Sequence, residues 1–306
     1  MKYNYYVADV FTKQLFSGAQ IAVFPKAEAL SDNQMALIAD ELNLSETVFV
    51  LPPENDKATH KMRIFTPQGE IDFAGHPIIA TAFVLAMCGE LKMTEPTTSL
   101  MLEQNTGLIE AEVICRDGQP GFVQFTQTFS STVDRFVPPN PELSSFLGIS
   151  NTAIDNREYS VKLVSCDELP PYLIVPVVDY ASVRKARFST DIWSESSAPQ
   201  TAAQEILLFA PHHQHHNSDF HLRLLGPNIA VNQDPPVGST LPAFAAYLCS
   251  HEKIWPETHT FTLDRGDENS RYSLLSLEIN PAHASLLTIH VGGDAVLVAE
   301  GTINSG

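Results

Sequence analysis

From Ser31 to Leu44 the chain alternates apolar and polar positions with a helical period. Met35, Ile38, Ala39 and Leu42 recur at i, i+3, i+4 and i+7, while Asp40, Glu41 and Asn43 fall between them. Ser31 followed by Gln34 is a capping box for that helix. Ser45-Glu46-Thr47 then leads into Val48-Phe49-Val50-Leu51, a strand pattern stopped by Pro52-Pro53, so Glu46 is expected where a loop enters a strand. Two other segments, Ile78 to Met87 and Leu241 to Cys249, are apolar on every side and are expected to be helices surrounded by protein. The first is opened by Gly75-His76-Pro77 and closed by Gly89. The second is opened by Gly238-Ser239-Thr240 with Pro242 in its first turn.

Most of the remainder reads as strands and turns. Gly107 to Cys115 and Gly121 to Thr126 form a hairpin around Arg116-Asp117-Gly118. Leu274 to Ile279, Ser285 to Val291 and Ala295 to Ala299 are three more strands, joined at Asn280-Pro281 and Gly292-Gly293. The pattern is α+β: a mostly antiparallel sheet around a buried helix, occurring twice. Pro138-Pro139-Asn140-Pro141 reads as the linker. It suggests an N-terminal domain over residues 1–128 and a C-terminal domain over 129–306, whose last strand is able to return to the first.

Composition narrows the partners. Thirty-six acidic residues against 18 basic ones give a net charge of −18 in 306 residues. That charge, with no Lys/Arg run, disfavours nucleic acid and anionic membrane. The longest apolar stretch, Ile78 to Cys88, is 11 residues, against the roughly 20 that span a bilayer. Met1 to Asp9 carries no apolar export signal, so a cytoplasmic location is expected. The cysteines Cys88, Cys115, Cys166 and Cys249 form no Cys-x-x-Cys pair and read as reduced core residues.

The two helix openings carry the candidate chemistry. A helix N-terminus offers unpaired N–H groups and about half a positive charge, a place for a carboxylate. Glu46, His76 and Asp234 are the titratable groups at these turns. A carboxylic acid in a water-poor cleft is expected to have its pKa raised and to exchange a proton near neutrality. The cluster His212-His213-Gln214-His215-His216 lacks a second ligand group at fixed spacing, and His251-Glu252 lacks the rest of a His-Glu-x-x-His motif, so no metal and no cofactor is expected. There is no Gly-x-Gly-x-x-Gly, P-loop or Gly-x-Ser-x-Gly.

Taken in order, Asp9-Val10-Phe11-Thr12, Leu44-Ser45-Glu46-Thr47-Val48-Phe49, Arg63-Ile64-Phe65-Thr66-Pro67, Phe73-Ala74-Gly75-His76-Pro77, Asp234-Pro235 with Gly238-Ser239, and Val291-Gly292-Gly293 resemble the PhzF-like phenazine-biosynthesis isomerases, which share the diaminopimelate epimerase fold. The resemblance spans the chain. It implies two similar domains, each a curled sheet around a central helix, with the helix N-termini directed at a site between them. It implies that Glu46 is the acid/base moving a proton between carbons of a cyclic amino or hydroxy acid. His76, Asp234 and Ser239 would line the pocket and assist, and Gly75 and Gly238 would leave N–H groups free. A homodimer and a small carboxylate substrate are implied as well. The epimerases place cysteines at the two openings, and this chain has none there, which disfavours a two-thiol mechanism. Gly18-Ala19-Gln20 replaces the usual Gly-Asn-Pro, and Gln233-Asp234-Pro235-Pro236-Val237-Gly238-Ser239 replaces Glu-Asp-Pro-x-Thr-Gly-Ser. These changes remove polar groups and leave a competing expectation, a catalytically silent binder of small acids on the same scaffold.

Overall fold

A computed structural model describes residues 1–305 except 95, 117, 155–157, 168, 212–217, 230–233, 252–256, 268–269 and 284–285. The chain divides into two compact units. The first holds Met1–Gln127, Asp267–Leu275 and His290–Gly306, and the second holds Thr128–Gly266 and Ser276–Ile289. Residues 267–275 and 290–306 therefore cluster with the N-terminal part of the chain.

The first unit is built from β1 (Lys2–Val10), β2 (Ala19–Phe24), α1 (Asp32–Leu42), β3 (Glu46–Leu51), β4 (His60–Thr66), β5 (Gly69–Ile71), α2 (Gly75–Met87), β6 (Thr97–Gln104), β7 (Gly107–Arg116) and the start of β8 (Gln119–Asp134). Its ladders join β1 to β2, β2 to β3 in parallel, β3 to β4, β4 to β5 and to β6, and β6 through β7 to β8. The capping box of α1 forms as its sequence predicts, with Ser31 and Gln34 bonding each other's backbone. This helix packs on Phe24, Phe49 and Phe65; the first two rings stack at 4.9 Å and Phe65 meets Phe49 edge to face at 5.4 Å. Arg63 ties it to the sheet, reaching Asp32 at 2.5 Å and Glu70 at 2.6 Å. Helix α2 starts three residues before the apolar run and is buried from Gly75 to Ala86, against β1, β2, β3 and β7. Its uniform apolarity is thus the mark of a helix with sheet on several sides.

The second unit holds the end of β8, α3 (Asn140–Leu147), β9 (Lys162–Cys166), β10 (Tyr172–Pro176), α4 (Tyr180–Lys185), α5 (Thr190–Glu195), β11 (Glu205–Pro211), β12 (Phe220–Leu225), α6 (Leu241–Cys249) and β13 (His259–Asp267). Here β8 pairs with β9, β9 with β10, β10 with β11 in parallel, β11 with β12, and β12 with β13 in parallel. Helix α6 has the predicted bounds and is buried from Leu241 to Leu248, in contact with β9 and β10. A second core gathers Leu143, Phe146, Val175, Trp193, Leu208 and their neighbours around α3 and α5.

Two turn readings fail. Strand β14 (Ser270–His283) continues through Asn280-Pro281, and β15 (Leu286–Asn304) continues through Gly292-Gly293. A Cβ on Gly292 would meet the Phe122 ring and one on Gly293 the Phe11 ring, so these glycines permit close approach rather than a turn. The far end of β15 pairs antiparallel with the whole of β1. The proline cluster is likewise not a linker. Pro139 is the N-cap of α3 and Pro141 sits in its first turn, inside the second unit, where proline's fixed φ suits a helix start.

Candidate active site

In the first unit, Glu46 opens β3 opposite Ile21 of β2. Phe49 packs toward α1, so strand alternation turns Glu46, Val48 and Val50 toward the α2 face. His76, in the first turn of α2, meets Glu46 there. The two are 2.6 Å apart, His76 Nε2 to Glu46 Oε2, with side chains 4% and 12% exposed. Burial pushes the Glu46 carboxyl up. The neighbouring His76, by charge and by hydrogen bond, together with Ser45, outweighs burial and holds it below the usual range. The expectation of a raised pKa is therefore overturned: opposite charge at hydrogen-bonding distance beats desolvation, and the group is poised as a carboxylate.

Ala74, the N-cap of α2, makes no side-chain capping bond. The helix thus begins at Gly75 without the hydroxyl or amide that caps α1, and its dipole and first-turn N–H groups lie beside Glu46. Cys88 caps the opposite end of the same helix.

In the second unit, Asp234 lies ahead of a 3-10 turn, Gly238–Thr240, that runs directly into α6. Val237 and Thr240 supply no side-chain cap to the amides that follow them. Thr240 Oγ1 instead donates to Val237 O at 2.7 Å. Ser239 is the middle residue of that turn and is half-buried. Asp234 is held by two arginines that the sequence reading did not single out. Arg184 of α4 donates to Oδ2 at 2.5 Å, and Arg265 of β13 donates to the backbone carbonyl and lies 4.0 Å from Oδ1. Arg184 is positioned in turn, because the buried Arg223 of β12 donates to the carbonyls of Val183, Arg184 and Ala186 at the end of α4. Beside Arg223 and Arg265 on the same two strands, His221 and Asp264 form a pair of 0% exposure with Nδ1 2.6 Å from Oδ1. Only the separation in sequence hid this cluster: Arg184 is 50 residues and Arg265 31 residues from Asp234.

The thiols lie elsewhere. Cys249 is the last residue of α6, with its pKa pushed up to about 11 by burial, and burial raises Cys88 as well. Of the four, only Cys166 is fully buried, so the reading of all four as core residues is too broad. The cluster His212 to His216, Gln233 and Glu252 lie outside the described residues. Among the described residues no three His, Cys, Asp or Glu side chains are grouped to hold a metal ion, and no helix is long and apolar enough to cross a membrane.

The geometry has parallels in known proteins. Residues 8–301 match the model of the phenazine biosynthesis-like protein family. A protein of Mesorhizobium japonicum named as an uncharacterized isomerase is 31% identical over 98% of both chains. The trans-2,3-dihydro-3-hydroxyanthranilate isomerase of Pseudomonas aeruginosa is 27% identical over 98% of both chains. A phenazine biosynthesis protein of the PhzF family from Bacillus anthracis superimposes with a TM-score of 0.86 over 99% of both chains at 22% identity, a likeness of fold. With matches over nearly its full length and a carboxylate–imidazole pair at a helix opening, the chain belongs to the phenazine biosynthesis-like family and is an enzyme of the isomerase class.

Proposed function

We propose that the protein moves a proton between carbons of a small cyclic amino or hydroxy carboxylic acid, with Glu46 as the group that takes and returns the proton. The observation that carries this reading is the 2.6 Å contact of Glu46 with His76 at the uncapped start of α2. Proton transfer between carbons is work that a positioned carboxylate and imidazole perform with their own atoms.

A carboxylate held below its usual pKa is ionised at neutral pH but is a weak base. The substrate carbon must therefore be made acidic, and the α2 opening supplies the means. The substrate carboxylate docks on the first-turn N–H groups from Gly75 onward, where negative charge growing on it during proton loss is stabilised. Glu46 leaves this step neutral, still hydrogen-bonded to His76, and delivers the proton to a second carbon. Asp234, Gly238 and Ser239 are assigned to substrate binding on the family resemblance. Fixed between two guanidinium groups, Asp234 is suited to orienting a substrate group rather than to carrying a proton.

The test is solvent deuterium uptake, followed by mass spectrometry, into a panel of cyclic amino and hydroxy acids that includes trans-2,3-dihydro-3-hydroxyanthranilate. Glu46→Gln should remain folded at the assay temperature and lose at least about 10²-fold in exchange. Undiminished exchange in that variant overturns the assignment. Binding without exchange by wild type would identify the silent small-acid binder.

A further inference from the structure

The connection from β1 to β2, residues 11–18, belongs to the first unit and displays two of its most exposed large apolar side chains, Leu15 at 53% and Phe16 at 72%. Its position follows from the ladders. Strand β2 begins at Ala19, its Ile21 pairs in parallel with Glu46, and Ser45 Oγ donates to Gln20 O at 3.1 Å. The strap and Glu46 therefore emerge at the same end of the sheet, where His76 also arrives.

The strap is fastened, not loose. The Asp9 carboxylate, 0% exposed, accepts the Phe16 N–H at 2.7 Å and a bond from the Arg271 guanidinium. Arg271 also donates to Gly18 O at 2.9 Å and Ser17 O at 3.1 Å. Backbone bonds add Gly18 N to Tyr272 O at 2.8 Å, Leu274 N to Phe11 O at 2.8 Å and Thr12 N to Asp294 O at 3.0 Å. Leu274, bonded to the strap in this way, is itself 41% exposed.

Within this frame Phe11 and Phe16 hold φ of 61° and 67°, a left-handed backbone that an aromatic residue rarely adopts. Such strain persists only where the surroundings enforce it, and it concentrates at ligand clamps. Here a buried carboxylate enforces it, and the outcome is a rigidly presented apolar surface at the rim of a polar proton-transfer pair. Small-molecule sites are built this way, mostly apolar walls with a few polar groups.

The geometry points to Leu15 and Phe16 as specificity-determining residues that pack on the carbon skeleton of a carbocyclic acid while its carboxylate meets the α2 opening. The inference rests on the proton-transfer reading for the location of the site, and its test is independent of turnover. The probes are 3-hydroxyanthranilate, a flat carbocyclic acid, and lactate, an acyclic hydroxy acid of the same charge, titrated calorimetrically. Phe16→Ser and Leu15→Ser should weaken 3-hydroxyanthranilate about tenfold or more, the worth of one buried apolar side chain, and leave lactate within about twofold. Phe136→Ser, at a 66% exposed site in the second unit, should alter neither.

Equal weakening of both probes, no weakening, or a wild type that binds neither overturns the inference. A changed sedimentation coefficient with unchanged affinity overturns it too, and assigns the patch to contact between copies of the chain. Glu46→Gln separates the two readings. If it retains exchange while Phe16→Ser still weakens 3-hydroxyanthranilate, the acid/base assignment falls and the strap stands. If exchange depends on Glu46 and the strap variants bind normally, the strap falls alone.

Discussion

The openings of α2 and α6 are alike in construction and unlike in chemistry. Each begins a buried, apolar helix with a glycine at or just before its start, and neither N-cap makes a side-chain capping bond. At α2 the partner is an imidazole against a carboxylate, two groups that exchange a proton readily. At the turn before α6 the carboxylate of Asp234 is fixed by Arg184 and Arg265, and guanidinium does not give up its proton in proteins. The difference between the two openings lies in the side chain brought from afar, not in the helix.

The largest expected effect breaks this asymmetry directly. His76→Asn should lower exchange about 10²-fold, because Glu46 loses the group that holds its charge, whereas Asp234→Asn should cost less than about tenfold if its role is orientation. Equal losses at the two positions would show that both ends take part in proton transfer. Arg265→Ala comes next. Its side chain is 4% exposed and Asp234's is 14%, so removing one member of this mostly buried pair should destabilise the fold by about 3 kcal/mol, read by denaturant unfolding of the single and double variants.

The third contrast is in pH. Glu46 has its folded pKa lowered by His76, so its contribution to stability is present above the unfolded value near 4.5 and is lost as pH falls through the folded one. The melting-temperature advantage of wild type over Glu46→Gln should therefore be greatest at neutral pH and vanish in acid. A pH-independent difference would mean that the pair contributes nothing through its charge.

The smallest effect compares capped and uncapped helices within the first unit. Ser31→Ala removes the hydroxyl that accepts the Gln34 N–H, leaves the Ser31 N–H bond to the Gln34 side chain, and should cost about 1 kcal/mol in urea unfolding. It should leave carboxylate binding untouched.

Local features were legible. The α1 capping box, the bounds of α6, the uniform apolarity of α2 and the hairpin of β7 and β8 depend on residues within a turn or two of one another, and short-range sterics and hydrogen bonds decide them. The misread places are those where a distant partner decides. Gly292 and Gly293 resemble a turn until Phe122 and Phe11, more than a hundred residues away, occupy the space where their Cβ atoms would be. Pro139 and Pro141 resemble a linker until the helix they initiate is found packed into a core. The motifs named Glu46, His76 and Asp234 as a set, but motif spacing carries no information on protonation. A carboxyl expected to rise in pKa falls, because a charge 2.6 Å away outweighs burial.

By itself, then, the sequence determined an α+β chain with two internally buried helices, the glycine-led openings before them and the family to which those openings belong. These follow from hydrophobic period and local turn chemistry, which act within a few residues. The tertiary structure alone decided that Glu46 is paired with His76, that Asp234 is clamped by guanidinium groups from α4 and β13, and that a strained strap fastened by Asp9 and Arg271 holds Phe16 exposed. Each of these depends on electrostatic and steric contact between residues far apart in the chain, and such contacts exist only once the sheet has brought them together.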